Sequence, residues 1–313
     1  MTGPDSVLLI AFGGPEKPED IRPFLKNVAE GRAIPPERLE EVAQHYEAIG
    51  GRSPINDLTR LQAEGLRRAL RRENRFERVY VGMRNWHPYL HESLAEMKRN
   101  GHLRALGIIL SSFQTEASWD RYVTDVAGAR ARVGAGCPEV AFAGQWADHP
   151  LFLDAMVDRA RTALEEVAAE RRAGAALIFT AHSVPVDMAK DSPYSAQIQA
   201  ATATIAGRLG HQRWLLAYQS RSGSPREPWL EPDIGDVLRA LGHEGVTDAV
   251  VAPIGFVCDH VEVLYDLDIE ARRIARESGL TLHRAKAAND HPAFIEMLFD
   301  LVKRGPAVES GRR

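Results

Sequence analysis

Short apolar runs alternate with longer amphipathic segments along most of the chain. The apolar runs are nearly continuous, which is typical of parallel strands covered on both faces. We predict strands at residues 7–12, 78–83, 105–112, 140–145, 176–182, 213–219 and 248–257. We predict helices at residues 18–31, 58–74, 90–101, 149–172, 195–210 and 234–245. Strands that alternate with helices in this way predict an α/β fold built on parallel sheets.

The order of the predicted elements is partly repeated. Each half opens with a strand that ends in a turn containing proline, AFGGPE in the first half and TAHSVP in the second. Later in each half a helix leads into another apolar strand. This repeat predicts two similar α/β halves that meet near residue 145.

The overall composition narrows the class of protein. The 313 residues carry a net charge of −4 with both signs mixed, and no basic block indicates a nucleic-acid surface. The first residues lack the basic segment of a signal peptide, and no run approaches the roughly 18 apolar residues of a transmembrane helix. Cys137 and Cys258 are too few for a disulfide framework or a four-cysteine cluster. A cytoplasmic protein is expected.

The carboxyl ends of the predicted strands are where a ligand site is expected. They read FGGPE, MRNWHP, SSFQTEASWDRY, TAHSVP, YQSRSG and FVCDHVE. These segments are rich in His, Arg, Ser, Trp and acidic residues. No Walker A or GxGxxG motif is present, which weakens nucleotide-dependent functions.

His182 is the first candidate for chemistry. It follows a buried strand, and Pro185 interrupts the chain soon after it. This position predicts an imidazole that points into the ligand site. An ordinary turn or capping histidine is the alternative, and it is about as common at partly buried positions.

An acidic segment follows the last predicted strand. If the chain becomes helical near Asp259, then Glu262, Asp266 and Glu270 lie at i, i+4 and i+8 on one helix face. A solvated helix face is the alternative. Apolar residues alternate with the acids directly after a buried strand, which favours a carboxylate line that leads outward from the site. Oxygen ligands of this kind suit cations that must be passed along.

Three loops offer further candidates. GRSPIND offers Arg52 and Ser53 to an anionic group, although Ser53 or Asp57 could instead cap a helix. GRAIPPER offers Arg32, with an ordinary surface loop as the alternative. The loop at 219–233 is rich in Pro and Gly and contains Trp229, which could wall a flat ligand or form a structural corner.

Taken together, these motifs resemble the ferrochelatases over nearly the whole chain. The stretches that carry the resemblance are LLIAFGGPE, HYEAIGGRSPIN, VGMRNWHPYL, TAHSVP, YQSRSG with PWLEPD, and PIGFVCDHVEVLYDLDIE. The resemblance implies two Rossmann-like domains, residues 1–145 and 146–289, with a porphyrin cleft between them. A C-terminal helix at about 290–313 is expected to pack back on the first domain.

The resemblance implies an enzyme that inserts ferrous iron into a porphyrin in haem biosynthesis. The catalytic pair would be His182 and Glu262, which face each other across the porphyrin in the family. Asp266 and Glu270 match the acid line that is thought to bring metal in or take protons out, so these four residues are the candidate metal ligands. Whether His182 acts as the base for pyrrole protons or as the first iron ligand stays open.

The substrate is expected to be coproporphyrin III. Residues 24–51 are amphipathic and charged, which resembles the soluble bacterial coproporphyrin III ferrochelatases rather than members with an apolar lip. Coproporphyrin has four propionates, and their candidate partners are Arg32, His45, Arg52, Ser53 and Tyr122. Phe12 is a further substrate contact, and it stands where some members carry a Tyr that ligates iron.

Other expectations and alternatives follow from the same resemblance. We expect a monomer with no stable membrane insertion, no nucleic-acid partner and no prosthetic group. No iron–sulfur cluster is expected, since the C-terminal segment has no cysteine. The alternatives are a protoporphyrin IX ferrochelatase, then a cobalt or nickel chelatase, then a non-catalytic tetrapyrrole carrier. A carrier would be expected to lack His182 or Glu262, and both are present.

Overall fold

The computed structural model describes residues 3–31, 34–76, 78–222 and 227–307. The chain divides into two compact units. Unit 1 contains Met1–Ser111, Ala117–Trp146 and Asp290–Arg313, and unit 2 contains Ser112–Glu116 and Ala147–Asn289. The division therefore differs from a single boundary at residue 145, because the segment Ser112–Glu116 belongs to unit 2.

The described residues form two four-stranded parallel sheets, one in each unit. The strands are β1 (Ser6–Ala11), β2 (Val79–Met83), β3 (Arg104–Ile109), β4 (Glu139–Phe142), β5 (Ala176–His182), β6 (Trp214–Gln219), β7 (Asp248–Ala252) and β8 (Thr281–Arg284). The strand order is β2-β1-β3-β4 in unit 1 and β6-β5-β7-β8 in unit 2. The α/β fold with parallel sheets is thereby confirmed.

Helices connect successive strands, as parallel pairing requires. The α-helices are α1 (Ile21–Ala29), α2 (Pro36–Ala48), α3 (Ile55–Arg72), α4 (Leu90–Arg99), α5 (Arg121–Val133), α6 (Pro150–Glu165), α7 (Ala169–Arg172), α8 (Val186–Lys190), α9 (Tyr194–Leu209), α10 (Ile234–His243), α11 (Val261–Leu264), α12 (Arg272–Glu277) and α13 (Pro292–Arg304). A 3-10 turn covers Pro18–Asp20, and π-helices cover Glu116–Asp120 and Asp266–Ala271.

The core of each unit surrounds its central strand. All six residues of β1 and the first six residues of β5 are buried, because helices cover both faces of each sheet. In unit 1, α13 packs on α3 so closely that a Cβ on Gly65 would lie 2.9 Å from Ile295 Cδ1. The C-terminal helix thus belongs to unit 1.

Several predicted bounds are wrong, and the last strand of the prediction matters most. The apolar run at 248–257 is a strand only as far as Ala252, because Pro253 has no N–H for the ladder. The run at 105–112 likewise ends as a strand at Ile109. The helix predicted at 149–172 is divided into α6 and α7. Strand β8 was not predicted, since TLHR is short and only partly buried.

No helix within the described ranges is long and apolar enough to cross a membrane.

Candidate active site

His182 lies at the carboxyl end of β5, one of the two central strands of the sheet in unit 2. It is paired in register with Gln219 of β6. On the other side β7 ends at Ala252, opposite Phe179, so a loop rather than a strand flanks the last residues of β5. The end of β5 is therefore open to side chains from the chain that follows β7.

The orientation of the His182 ring is fixed by its own backbone neighbour. Nδ1 lies within hydrogen-bond distance of the Ser183 carbonyl oxygen, which can only accept, so Nδ1 carries the proton. The hydroxyl of Tyr194 donates to the His182 carbonyl at 2.8 Å. The other ring nitrogen, Nε2, then holds the lone pair in the neutral form. It is the atom that can accept a proton or bind a metal.

Glu262 is the nearest acid to that lone pair. Its Oε1 lies 3.6 Å from His182 Nε2, and the two side chains are 37% and 29% exposed. This distance is too short for a porphyrin to lie between the two groups, so the structure does not show the expected placement on opposite faces of the ring. Burial disfavours the imidazolium form of His182. The Glu262 carboxylate, the Ser183 carbonyl and the Asp266 carboxylate outweigh that effect and raise the pKa of His182 above its ordinary value.

The acids that follow β7 have different roles. Asp259 is buried, and its carboxylate accepts from Arg284 Nη1 at 2.9 Å, from the Ala287 N–H at 3.2 Å and from Asn289 Nδ2 at 2.8 Å. Asp268 accepts from Arg284 Nε at 2.8 Å. Arg284 thus bonds to both carboxylates, and Arg272 pairs with Asp268 at 3.4 Å, so both acids serve structural roles.

His260 begins the helix that carries Glu262. Its Nδ1 accepts the Glu262 N–H at 3.3 Å, so His260 is the N-cap of α11 and its proton lies on Nε2. Burial, opposed by nearby carboxylates, lowers the pKa of His260. The helix therefore starts after Asp259, and a neutral ring caps it.

The acid line does not follow a regular α-helix. A π-helix over Asp266–Ala271 follows α11, and Glu270 N donates to Tyr265 O at 3.0 Å, five residues back. Such widened turns are frequent at functional sites. The prediction that Glu262, Asp266 and Glu270 lie on one face of a regular α-helix is therefore wrong beyond Tyr265. Asp266 is half-buried and Glu270 is exposed.

Asp266 has the most perturbed carboxyl group at this site. Burial and the neighbouring Glu262 and Glu270 charges raise its pKa to about 7, and a hydrogen bond from the Ser220 hydroxyl opposes the rise. Asp266 is thus poised to gain or lose a proton near neutral pH.

Gly255 allows the loop after β7 to approach β5. A Cβ at this position would lie 2.6 Å from Ala181 Cα and 2.7 Å from Ala181 Cβ. The Gly255 N–H donates to the Thr180 carbonyl at 3.0 Å. Because this contact is directly before His182, a larger residue would displace the end of β5.

The loops that carry the predicted substrate contacts lie in unit 1. Phe12 is half-buried and packs edge-on to Phe24 at 6.2 Å. His45 is half-buried in α2, and burial together with Arg38 lowers its pKa. Arg52 is exposed and pairs with Asp57. Arg32 lies outside the described residues.

Two predicted contacts are buried within unit 1. Ser53 is 2% exposed, and a Cβ on Gly14 would lie 2.7 Å from its Cβ. Tyr122 is 6% exposed within the apolar core, where the Arg84 guanidinium lies 4.3 Å from the centre of its ring. Both residues also pack within unit 1, and their contact with a substrate carboxylate stays a prediction.

Sequence reasoning missed several residues that shape the site. Gln219 ends β6 and Ser220 follows it, and both bond to the segment that carries Glu262 and Asp266. Tyr194 and Gly255 hold the end of β5. Gln219 and Ser220 lie in the YQSRSG motif, which was the available signal. In the part of the chain that the structure describes, no group of three or more His, Cys, Asp or Glu side chains is arranged to hold a metal ion.

The fold is of the same class as the folds of two solved structures. DR2241 from Deinococcus radiodurans, a multi-domain protein with structural similarity to chelatases, matches with a TM-score of 0.60 at 16% identity, over 98% of this chain and 56% of that chain. SirB from Bacillus subtilis with Fe3+ matches with a TM-score of 0.56 at 10% identity, over 98% of this chain and 97% of that chain.

The sequence identifies the family within this class. Residues 4–305 match the sequence model of the family described as Ferrochelatase, and the chain belongs to the ferrochelatase family. The family resemblance drawn from the motifs is thereby confirmed.

Curated relatives carry more specific names. A protein named coproporphyrin III ferrochelatase in Mycobacterium avium is 44% identical, over 95% of this chain and 87% of that protein. A protein of the same name in Nocardia farcinica is 45% identical, over 96% of this chain and 87% of that protein. A protein named ferrochelatase in Rhodopirellula baltica is 41% identical, over 96% of this chain and 85% of that protein.

Proposed function

We propose that this protein inserts ferrous iron into coproporphyrin III. The observation that carries the proposal is the His182 imidazole, whose Nε2 lies 3.6 Å from a Glu262 oxygen, in a member of the ferrochelatase family. Relatives at 41–45% identity that are named coproporphyrin III ferrochelatase support the choice of porphyrin.

The reaction exchanges two pyrrole N–H protons for one Fe²⁺ ion. Both protons must leave the ring as the metal enters, so the enzyme needs a proton acceptor near the porphyrin plane. Neutral His182 offers its Nε2 lone pair, and Glu262 stabilises the imidazolium that results. Alternatively Nε2 binds the incoming iron first. In either case Asp266 and Glu270 are proposed to carry the cation or the released protons.

The polar surface of α2 supports the preference for coproporphyrin. Only Ala43 and Tyr46 are buried in this helix, and Arg22 of α1 pairs with Glu40 at 2.6 Å. The large hydrophobic side chains that are exposed in the described residues are Leu61, Leu103, Leu215 and Ile269, all outside residues 24–51. We propose that the substrate is contacted by Phe12, Arg32, His45, Arg52, Ser53 and Tyr122. Cytoplasmic location, monomeric state and the absence of an iron–sulfur cluster stay predictions.

Anaerobic insertion of Fe²⁺, followed by porphyrin absorbance, tests the proposal. Coproporphyrin III and protoporphyrin IX are compared in parallel without detergent, with His182→Ala as the inactive control. Faster turnover of coproporphyrin III is expected. Preference for protoporphyrin IX would reject the substrate assignment. Insertion of Co²⁺ or Ni²⁺ without Fe²⁺ would favour another chelatase, and tight binding without insertion would favour a carrier.

A further inference from the structure

Gln219 is the residue through which the segments of His182 and Glu262 meet. It is the last residue of β6 and is 1% exposed. Its backbone pairs in register with His182, and its carbonyl accepts the Ser183 N–H at 2.7 Å. Its side-chain amide Nε2 donates to the backbone carbonyl of Glu262. One residue therefore contacts both sides of the site.

The next residue extends this contact along the acidic segment. In a regular strand, successive side chains point to opposite faces. Ser220 has a φ of 61°, which ends the strand geometry, and its hydroxyl donates to the Asp266 carboxylate. Consecutive residues thus bond to two successive positions of the acidic line. A left-handed conformation is strained for a residue with a side chain, and such strain is often found at functional sites.

The stability of the fold alone does not explain an amide side chain at position 219. Gln219 Oε1 is buried without a hydrogen-bond partner among the described residues. An unpaired buried acceptor lowers stability, and an apolar side chain of the same length would avoid it. The amide is therefore poorly explained by stability, and its donor to Glu262 is the contact that distinguishes it.

We propose that Gln219 is a positioning residue that sets the separation between His182 and Glu262. The β6 backbone holds the His182–Ser183 end of β5, and the Gln219 amide holds the first turn of α11. Two contacts of Gln219 then fix the 3.6 Å distance between His182 Nε2 and Glu262 Oε1, one through its backbone and one through its side chain. The catalytic consequence rests on the proposed iron insertion.

Gln219→Met and Gln219→Asn test this role. Met keeps the length and removes the donor, while Asn keeps the amide but is one methylene too short to reach Glu262. The control is Thr202→Val, which removes the 2.9 Å hydrogen bond from a buried Thr202 hydroxyl to the Ile198 carbonyl in α9. We measure kcat, the KM for porphyrin, thermal unfolding and a crystal structure of each protein.

Both Gln219 variants are expected to lower kcat about 10–100-fold, as loss of an orienting partner does, with the KM for porphyrin changed less than about threefold. Their Nε2–Oε1 separation is expected to exceed the 3.6 Å of the wild type. Thr202→Val should keep the kcat of the wild type.

Three results would overturn the inference: an unchanged kcat, an unchanged separation, or a loss of kcat matched by Thr202→Val at equal loss of stability. If the wild type inserts no iron, the proposed function fails instead. The separation measured in the crystals still decides the role of Gln219 in that case.

Discussion

Nε2 of His182 lies 3.6 Å from Oε1 of Glu262, and the Ser183 carbonyl holds the proton of the same ring on Nδ1. The two contacts leave a single ring nitrogen available, and that nitrogen faces an anion. Such an arrangement favours proton acceptance, because the imidazolium product is stabilised where it forms.

His182→Ala should abolish iron insertion and leave porphyrin binding intact. Removal of a general base or first ligand costs about 10²–10⁴-fold in rate, while the rest of the binding surface remains. Insertion is measured by absorbance and binding by fluorescence quenching. His211→Ala is the control, because His211 Nε2 bonds to the Ala175 carbonyl at 2.9 Å, directly before β5 and at the opposite end of the strand from His182. Normal turnover by His182→Ala would contradict the assignment.

The pKa of His182 should exceed 6.5 in the wild type and fall in Glu262→Gln. Burial is the largest single effect and lowers this pKa, but Glu262, the Ser183 carbonyl and the Asp266 carboxylate together outweigh it. Removal of the Glu262 charge should therefore shift the balance towards burial and lower the pKa. In NMR titrations of labelled histidines, His45 should titrate below 6.5 in both proteins, because burial and Arg38 lower its pKa. A wild-type His182 that titrates at or below 6.5 would refute this account.

The same shift predicts how activity depends on pH. A raised pKa keeps His182 protonated and unable to accept a proton until the pH exceeds that pKa. The kcat/KM of the wild type should therefore rise with pH above 6.5. The residual activity of Glu262→Gln should begin its rise at lower pH. An acid limb that does not move in Glu262→Gln would assign it to another group.

Asp266→Asn should reduce activity less than His182→Ala does. Asp266 is one of several carboxylates, so its loss is expected to raise the KM for iron several-fold, on the order of 1 kcal/mol. Its pKa of about 7 makes the effect larger above pH 7, where the carboxylate is ionised, than below pH 6. Asp187→Asn is the control at an exposed ion pair with Lys190. An effect of Asp266→Asn that is equal at all pH values would contradict this prediction.

Gly255→Ala should damage the site although it adds one methyl group. The new Cβ would lie 2.6 Å from Ala181 Cα, so the end of β5 must move. We expect a loss of about 1–3 kcal/mol in the free energy of unfolding together with a fall in kcat. Gly207→Ala in α9 is the control, since its Cβ would meet nothing within 4 Å. Gly255→Ala with wild-type kcat would show that this contact does not position His182.

Asp248→Asn should destabilise unit 2 at neutral pH. The Arg171 guanidinium, together with Thr247 and His283, lowers the pKa of Asp248 from 3.8 to about 2 despite burial. A lowered pKa contributes stability above pH 3.8 that is lost as the pH falls to about 2. The difference at pH 7 is about 2 kcal/mol. Chemical unfolding measures it, and Asp154→Asn at the exposed Arg208 pair should change little. Equal losses from both substitutions would contradict the prediction.

The sequence by itself determined the α/β fold and the ferrochelatase family. Parallel strands buried on both faces need continuous apolar runs, so seven of the strands were visible as such runs. Polar side chains directly after those runs must lie at the carboxyl edge of a sheet, where ligands bind. The sequence therefore predicts that His182 and the segment after β7 belong to the site. The short, half-exposed β8 carried no comparable signal.

The tertiary structure decided which of the acids are available for chemistry. Arg284 lies 25 positions after Asp259 and forms ion pairs with both Asp259 and Asp268. The local spacing of the acids does not predict these pairs. The Gln219 amide reaches Glu262 across 43 positions. Hydrogen bonds between residues this far apart form only when the strands are assembled. For that reason the 3.6 Å separation of His182 from Glu262 is a property of the fold, whereas the tautomer of His182 follows from the adjacent Ser183 carbonyl.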